Sequence, residues 1–303
     1  MSDDPYLRDK AGIRRNFNRA AGNYDKVAVL QQTVGERLLD RLDAIRLEPE
    51  RILDLGSGTG GLSEHLAQRY VSARVIQLDL AFNMLKQSSR KKDFSCRAFL
   101  LCADAEKLPV ADECVEFAFS NLMFQWVSLL DRVLEEIYRS LRPGGLLLFS
   151  TFGPDSLKEL RESWSRVDNH VHVNAFTDMH DVGDALVRAG FVEPVMETET
   201  FTLVYDDGRA LMRELKSLGA GNVNEGRRKS LTGKREIQEM LAEYRRRFGN
   251  NGLPATFEAV YGHAWVPEMK NPRREGMEPG VFPVAFRARA KTERRFRDNG
   301  TAG

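Results

Sequence analysis

Residues 51–61, RILDLGSGTGG, decide the fold of this chain. The apolar run over 51–55 ends in a glycine-rich turn, and the amphipathic segment LSEHLAQRY follows at 62–70. This order predicts a strand, a tight turn and a helix. Because glycine has no Cβ, such a turn lets the backbone approach a ligand closely at the end of the strand.

The same alternation continues on the C-terminal side of the turn. Apolar runs that predict strands alternate with amphipathic segments that predict helices, at intervals that suit βαβ crossovers. Such crossovers cover both faces of a sheet with helices. The sequence therefore predicts an α/β fold with a doubly wound, mostly parallel sheet. The predicted strands lie at 51–55, 74–79, 99–104, 114–120 and 146–151, and the helices between them at 62–70, 81–92 and 129–141.

One domain over 8–266 and a short tail account for the chain. Helices are predicted before the first strand, and after the fifth strand the alternation loosens into a helical insertion. A last β-rich run is expected to return to the sheet at its edge, and the tail is expected to be flexible. The predicted bounds are 10–47 for the N-terminal helices, 50–206 for the core, 207–256 for the insertion, 257–266 for the final strand and 267–303 for the basic tail.

Composition excludes several classes of protein. With 45 Lys and Arg against 44 Asp and Glu, the net charge of +1 excludes nucleic-acid binding that relies on an overall positive charge. No stretch approaches the roughly 18 apolar residues of a membrane-spanning helix, and the acidic start lacks the apolar core of a signal peptide. The three cysteines and five histidines have no metal-ligand spacing. We therefore expect a cytoplasmic protein without a metal, a nucleic-acid partner or a membrane anchor.

Two kinds of ligand fit the pattern of the glycine turn. Gly56, Gly58 and Gly61 satisfy the dinucleotide fingerprint, and Asp79 lies about 20 residues further on, where it can hold ribose hydroxyls. S-adenosylmethionine suits the same arrangement. Asp54, two residues before Gly56, is a poor neighbour for a pyrophosphate, but it suits a ligand that carries an ammonium and a sulfonium group.

Four motifs together resemble the class I S-adenosylmethionine-dependent methyltransferases. They are LDLGSGTG at 53–60, the acid Asp79, DAEKLP at 104–109 and LRPGG at 141–145. The resemblance implies a Rossmann-like fold and S-adenosylmethionine as the methyl donor. The cofactor residues that we predict are Asp54, Gly56, Ser57 and Gly58 at the methionine end, Asp79 and Leu80 at the ribose, Asp104 and Ala105 at the adenine, and Asn121 after the fourth strand.

Further segments resemble one branch, the malonyl-[acyl-carrier-protein] O-methyltransferases of biotin synthesis. The segments AAGNYD at 20–25, SNLMFQW at 120–126, HVNAF at 172–176 and LKSLGAGN at 215–222 carry this likeness. It extends over about residues 8–266. The resemblance implies transfer of a methyl group to the free carboxylate of a malonyl thioester, giving the malonyl methyl ester that starts pimeloyl and biotin synthesis.

The chemistry that this resemblance implies requires no general base. A malonyl carboxylate has a pKa of about 4, like Asp or Glu, so it is ionised at neutral pH. Catalysis would then rest on aligning the reacting atoms in a dry site. We expect Tyr24, Lys216, Asn222 and Arg227 to position the substrate.

The implied partner is malonyl-acyl carrier protein, with malonyl-coenzyme A as the alternative substrate. Acyl carrier protein is acidic, so the basic groups of the insertion at 227–229, 234–235 and 245–247 are predicted to dock it. Three other functions remain open at this point. They are methylation of another small molecule, a non-methylating assembly factor of the same fold, and a nicotinamide oxidoreductase, which Asp54 disfavours.

Overall fold

The computed structural model describes residues 7–91, 98–228, 230, 232–249 and 252–270. The tail predicted over 267–303 lies outside the described residues from 271 onward. Within the described part of the chain, no helix is both long and apolar enough to cross a membrane.

Seven strands of the described chain form one sheet: β1 (Arg51–Leu55), β2 (Arg74–Asp79), β3 (Ala98–Cys102), β4 (Val115–Asn121), β5 (Leu141–Phe152), β6 (Val192–Tyr205) and β7 (Leu253–Trp265). Their order across the sheet is β3-β2-β1-β4-β5-β7-β6. Strands β1 to β5 pair in parallel, whereas β7 runs antiparallel to both β5 and β6. The predicted doubly wound, mostly parallel sheet is confirmed.

The helices of the described residues are α1 (Lys10–Ala20), α2 (Tyr24–Val27), α3 (Val29–Asp40), α4 (Gly61–Arg69), α5 (Phe82–Ser88), α6 (Leu130–Ser140), α7 (Lys158–Trp164), α8 (Met179–Ala189), α9 (Gly208–Ser217) and α10 (Lys234–Phe248). Side chains alternate along β5, so Leu146 and Leu148 face one core while Leu147 and Phe149 face the other. Helices α3, α4, α7 and α10 bury the first core, and α6 and α8 bury the second. Each fully buried leucine contributes about 1.5–3 kcal/mol to this packing.

The position of the last strand differs from the prediction. Strand β7 begins at Leu253 instead of 257, and it lies between β5 and β6 rather than at the edge of the sheet. Most side chains of β7 are buried, whereas most of those of β6 are exposed or half-buried. The more apolar strand therefore takes the interior position, and β6 forms the edge.

Helix α1 lies over the end of the sheet that is formed by the carboxyl ends of the parallel strands. Ala20 and Ala21 at its C-terminal end are buried with Ala81 and Met84, which follow β2. Phe17 and Tyr24 pack against this small cluster. The N-terminal segment thereby covers the end of the sheet at which open α/β folds bind their ligands.

Candidate active site

The strand ends open into a cavity with about 1000 Å³ of empty space, including the part open to solvent. We call it the strand-end cavity. Turns and strand ends of the sheet form its floor, and α1 with Tyr24 forms its opposite wall. Of the predicted cofactor residues, it brings together Gly56, Gly58, Asp79, Leu80, Asp104, Ala105 and Asn121.

The glycine turn has a backbone that other residues rarely adopt. Gly56 has a φ of +69° and Gly58 a φ of +56°, both in the left-handed region. Apart from its chain neighbours, no atom of the described residues lies within 4 Å of a Cβ added to Gly58. Since Gly58 lines the strand-end cavity, the space beside it is a cradle that suits a ligand lying directly on the backbone.

Asp79 is held by the turn and by its own strand end. Its carboxylate accepts hydrogen bonds from the backbone N–H of Ala81 at 2.7 Å and of Gly58 at 2.9 Å. Burial raises the pKa of Asp79 to about 6, although both hydrogen bonds act in the opposite direction. The structure thus fixes one carboxylate beside the cradle, where hydroxyl groups of a ligand can donate to it.

Asp54 and Ser57 line an adjoining pocket that shares the glycine turn with the strand-end cavity. Asp54 is buried and accepts a hydrogen bond from the hydroxyl of Ser63. Burial raises the pKa of Asp54 to about 7. The hydroxyl of Ser57 is buried and has no hydrogen-bond partner among the described residues, so a ligand in this pocket can satisfy it.

Helices α1 and α3 supply cavity residues that no local motif indicates. The amine of Lys10 lies 2.6 Å from the carboxylates of both Asp104 and Glu106, where the adenine end was predicted. Gln31 has a buried side-chain oxygen without a hydrogen-bond partner among the described residues. The sequence predicts these two helices from their periodicity, but periodicity does not indicate which face of a helix contacts a ligand.

A second cavity, with about 1500 Å³ of empty space, lies beside the first. We call it the insertion cleft, because α9 and the segment after it form much of its wall. It shares six residues with the strand-end cavity, so the two spaces adjoin each other. The shared residues are Gln31, Gln125, Trp126, Phe152, Leu218 and Ala220.

The four predicted substrate-positioning residues do not lie together. Lys216 and Asn222 line the insertion cleft, whereas Tyr24 lines the strand-end cavity. In the described part of the chain Lys216 makes no ion pair, whereas Asn222 holds the backbone of Val171 and of Asn224. Burial, with the nearby Asp79 and Asp25 carboxylates, raises the pKa of Tyr24 far above its usual range, so its hydroxyl stays protonated.

Arg227 lines neither cavity. Its guanidinium donates to the Asp9 carboxylate at 2.9 Å and to the carbonyl oxygen of Asn224 at 2.7 Å. The structure therefore separates Arg227 from the other three residues predicted to hold the substrate. Its position between two chain segments instead makes it a link between the insertion and the N-terminus.

Most of the basic groups predicted to dock a carrier have acidic partners. Arg228 pairs with Glu236, Arg235 with Glu239, Arg246 with Glu243 and Arg247 with Glu162, at distances of 2.6–2.8 Å. Lys229 lies outside the described residues. These pairs reduce the positive field of the insertion. The basic clusters in its sequence are therefore weaker evidence for an acidic partner than their number alone indicates.

Comparison with known proteins places this arrangement in a class. A family model described as a methyltransferase domain matches residues 53–149. The fold is similar to that of the YcgJ protein from Bacillus subtilis, with a TM-score of 0.56, 14% identity and coverage of 78% of this chain and 99% of that chain. The cradle at Gly58 and the Ser57 hydroxyl, which has no partner among the described residues, fit S-adenosylmethionine. The chain is an S-adenosylmethionine-dependent methyltransferase, with S-adenosylmethionine as methyl donor.

Sequence relatives define the branch. The malonyl-[acyl-carrier protein] O-methyltransferase of Methylovorus sp. (strain MP688) is 47% identical over 298 residues, which cover 96% of this chain and 99% of the relative. The protein of the same name from Laribacter hongkongensis is 47% identical over 295 residues, with coverage of 95% and 99%. The chain belongs to the malonyl-[acyl-carrier protein] O-methyltransferase family.

Proposed function

We propose that the chain transfers a methyl group from S-adenosylmethionine to the free carboxylate of malonyl-acyl carrier protein. The product is the malonyl methyl ester, which starts pimeloyl and biotin synthesis. The observation that carries this proposal is the 47% identity to relatives of that name over nearly their whole length. The adjoining cavities support it, because methyl transfer needs a donor site and an acceptor site that meet.

The strand-end cavity, together with the adjoining pocket of Asp54 and Ser57, is the donor site in this proposal. Gly56, Ser57 and Gly58 hold the methionine end, with Asp54 as the nearby negative charge for the ammonium and sulfonium groups. Asp79 and Leu80 contact the ribose, and Asp104 and Ala105 contact the adenine, while Asn121 closes the floor between the two ends. When bound, S-adenosylmethionine supplies an electrophilic methyl group.

The insertion cleft is the acceptor site. Its wall is largely apolar, with Leu157, Leu160, Trp164 and Phe257 among its side chains. Such a wall excludes water from the reacting carboxylate and holds the pantetheine arm of the carrier. The carboxylate oxygen attacks the methyl carbon as the bond from that carbon to sulfur breaks, and no proton has to be removed.

Tyr24 and Lys216 position the acceptor in this scheme. The Tyr24 hydroxyl is a hydrogen-bond donor throughout the neutral range, and its raised pKa extends this to higher pH. Lys216 offers an ammonium group with no ion pair to a described residue. Asn222 acts less directly, by holding the backbone of Val171, which directly precedes the cleft residues His172 and Val173.

The direct test uses purified protein, methyl-labelled S-adenosylmethionine and malonyl-acyl carrier protein. We expect label in the carrier that is released by mild alkali, as a methyl ester requires, and no label with acetyl-acyl carrier protein, which lacks the second carboxylate. Asp79→Ala is the matched inactive variant. Retained donor binding without any ester would contradict the proposal and favour a non-methylating role.

A further inference from the structure

The N-terminus and the insertion are joined by a short two-stranded contact. The N–H of Asp9 donates to the carbonyl oxygen of Val223 at 2.8 Å, and the N–H of Glu225 donates to that of Leu7 at 2.8 Å. Arg8 and Asn224 are the paired residues of this antiparallel bridge. We call residues 7–9 together with 222–227 the strap. It joins segments more than two hundred residues apart in the sequence.

Asp9 connects the strap to the start of α1. One carboxylate oxygen accepts the backbone N–H of Gly12 at 2.8 Å and so caps the helix, while the other binds Arg227 at 2.9 Å. The side chains of Asp9 and Arg227 are only 18% and 26% exposed. The Gly12 hydrogen bond first, and Arg227 with it, lowers the pKa of Asp9 despite its partial burial. The pair is therefore charged at neutral pH.

Arg8 connects the same strap to the wall between the two cavities. Its guanidinium donates to the side-chain oxygen of Asn224 at 2.8 Å, to the carbonyl of Ala175 at 2.6 Å and to the carbonyl of Gln125 at 3.2 Å. Gln125 lines both cavities, and Asn224 is completely buried. The strap is thus fixed to the floor of the site as well as to α1.

Helix α1 meets the insertion at a second point. A Cβ added to Gly219 would lie 3.2 Å from the backbone of Asn16, so the helix packs directly on the segment that follows α9. Leu218 and Ala220, on either side of this contact, line both cavities. Lys10 and Phe17 of the same helix line the strand-end cavity, and the ring of Phe17 also lies 3.3 Å from the Cβ added to Gly219. The position of α1 over the donor therefore depends on contacts made by the insertion.

We propose that Asp9 and Arg227 are positioning residues whose ion pair holds α1 over the donor site and couples it to the acceptor side of the molecule. Neither touches donor or acceptor. Loss of the pair lets α1 move away from the cavity, so affinity for the donor falls even when no acceptor is present. The coupling to the acceptor rests on the proposed function; the effect on the donor does not.

The test is a double-mutant cycle read by calorimetric binding of S-adenosylhomocysteine. Asp9→Asn keeps a capping oxygen for Gly12 but removes the charge, and Arg227→Met keeps the aliphatic stem. We expect each variant to bind about five- to tenfold more weakly, and the double variant to bind no more weakly than either one, because both remove the same contact. At saturating substrates kcat should stay near that of the wild type while KM for S-adenosylmethionine rises.

Arg15→Met is the matched control. Arg15 approaches the same Asp9 carboxylate at 3.5 Å but is 63% exposed, so its removal should leave donor affinity unchanged. Wild-type donor affinity in Asp9→Asn, or additive losses in the double variant, would overturn the proposal. A direct malonyl contact by Arg227 predicts a different result: a raised acceptor KM in Arg227→Met alone, with donor affinity unchanged. If Arg227→Met does not fold, the proposal is tested by comparing donor affinity in Asp9→Asn with that in Arg15→Met.

Discussion

The strand-end cavity and the insertion cleft lie side by side but are built differently. The floor of the cavity takes its polar groups from strand ends and from one turn, whose backbone N–H groups also hold Asp79. The cleft takes its lining from α7, α9 and loops far apart in the sequence, joined by side-chain contacts such as that of Asn222 with Val171. Local backbone geometry therefore defines the floor of the donor site, whereas long-range packing defines the acceptor site.

The largest effect is expected at Gly58, where a side chain would occupy the space proposed for the donor. Gly58→Val places a branched side chain in the cradle and strains a backbone whose φ is +56°. We expect affinity for S-adenosylhomocysteine to fall by roughly 100-fold or more, which corresponds to the upper range of overpacking costs. Calorimetric titration measures the loss, and a thermal melt verifies that the variant is folded.

Gly22→Val is the matched control for this substitution. Gly22 is exposed and does not line the cavity, and a Cβ added there also lies more than 4 Å from the described residues other than its chain neighbours. Its donor affinity should equal that of the wild type. Equal losses in the two variants would mean that the cradle at Gly58 is not where the donor lies.

This contrast explains what the sequence could predict. The glycine turn and Asp79 follow from a local pattern, because strand, turn and helix are adjacent in the chain and the parallel strands end at one edge. The interior position of β7 and the location of Arg227 depend on pairings between distant segments. The sequence predicts that Arg227 positions the substrate together with Lys216, whereas in the folded chain Arg227 pairs with Asp9.

A smaller, graded effect is expected in the insertion cleft. Lys216→Met removes an ammonium group from the cleft while retaining an apolar stem of similar length. We expect KM for malonyl-acyl carrier protein to rise about tenfold, the usual cost of losing one charge-assisted contact. Affinity for S-adenosylhomocysteine should not change, because Lys216 does not line the strand-end cavity.

Lys234→Met provides the comparison for the cleft. Lys234 is exposed at the start of α10 and lies in the same insertion, so it controls for the loss of one positive charge near an acidic carrier. If the two variants raise KM equally, the effect comes from the overall field of the insertion and Lys216 has no specific contact with the acceptor.

The smallest expected effect is a dependence of donor affinity on pH. Burial raises the pKa of Asp54 to about 7 and that of Asp79 to about 6 in the free protein. Both pKa values lie above the value of about 4 in the unfolded chain, so folding favours the protonated form of each acid. The stability that this contributes is complete below about pH 4 and is lost as pH rises through the two folded-state pKa values. A donor with an ammonium and a sulfonium group favours the ionised acids, so its binding releases protons. We expect affinity for S-adenosylmethionine to rise about three- to tenfold between pH 5.5 and 7.5 and then to level off.

Calorimetry at pH 6.5 in two buffers with different ionisation enthalpies measures the released protons directly. Asp54→Asn keeps an oxygen that can accept the hydrogen bond from Ser63 but cannot titrate, so it should release fewer protons than the wild type. Glu64→Gln, an acid of the first turn of α4 that does not line the pocket of Asp54, should match the wild type. If affinity for S-adenosylmethionine is constant across this pH range, Asp54 and Asp79 do not interact with the charges of the donor. The cradle at Gly58 would then be the main determinant of donor binding.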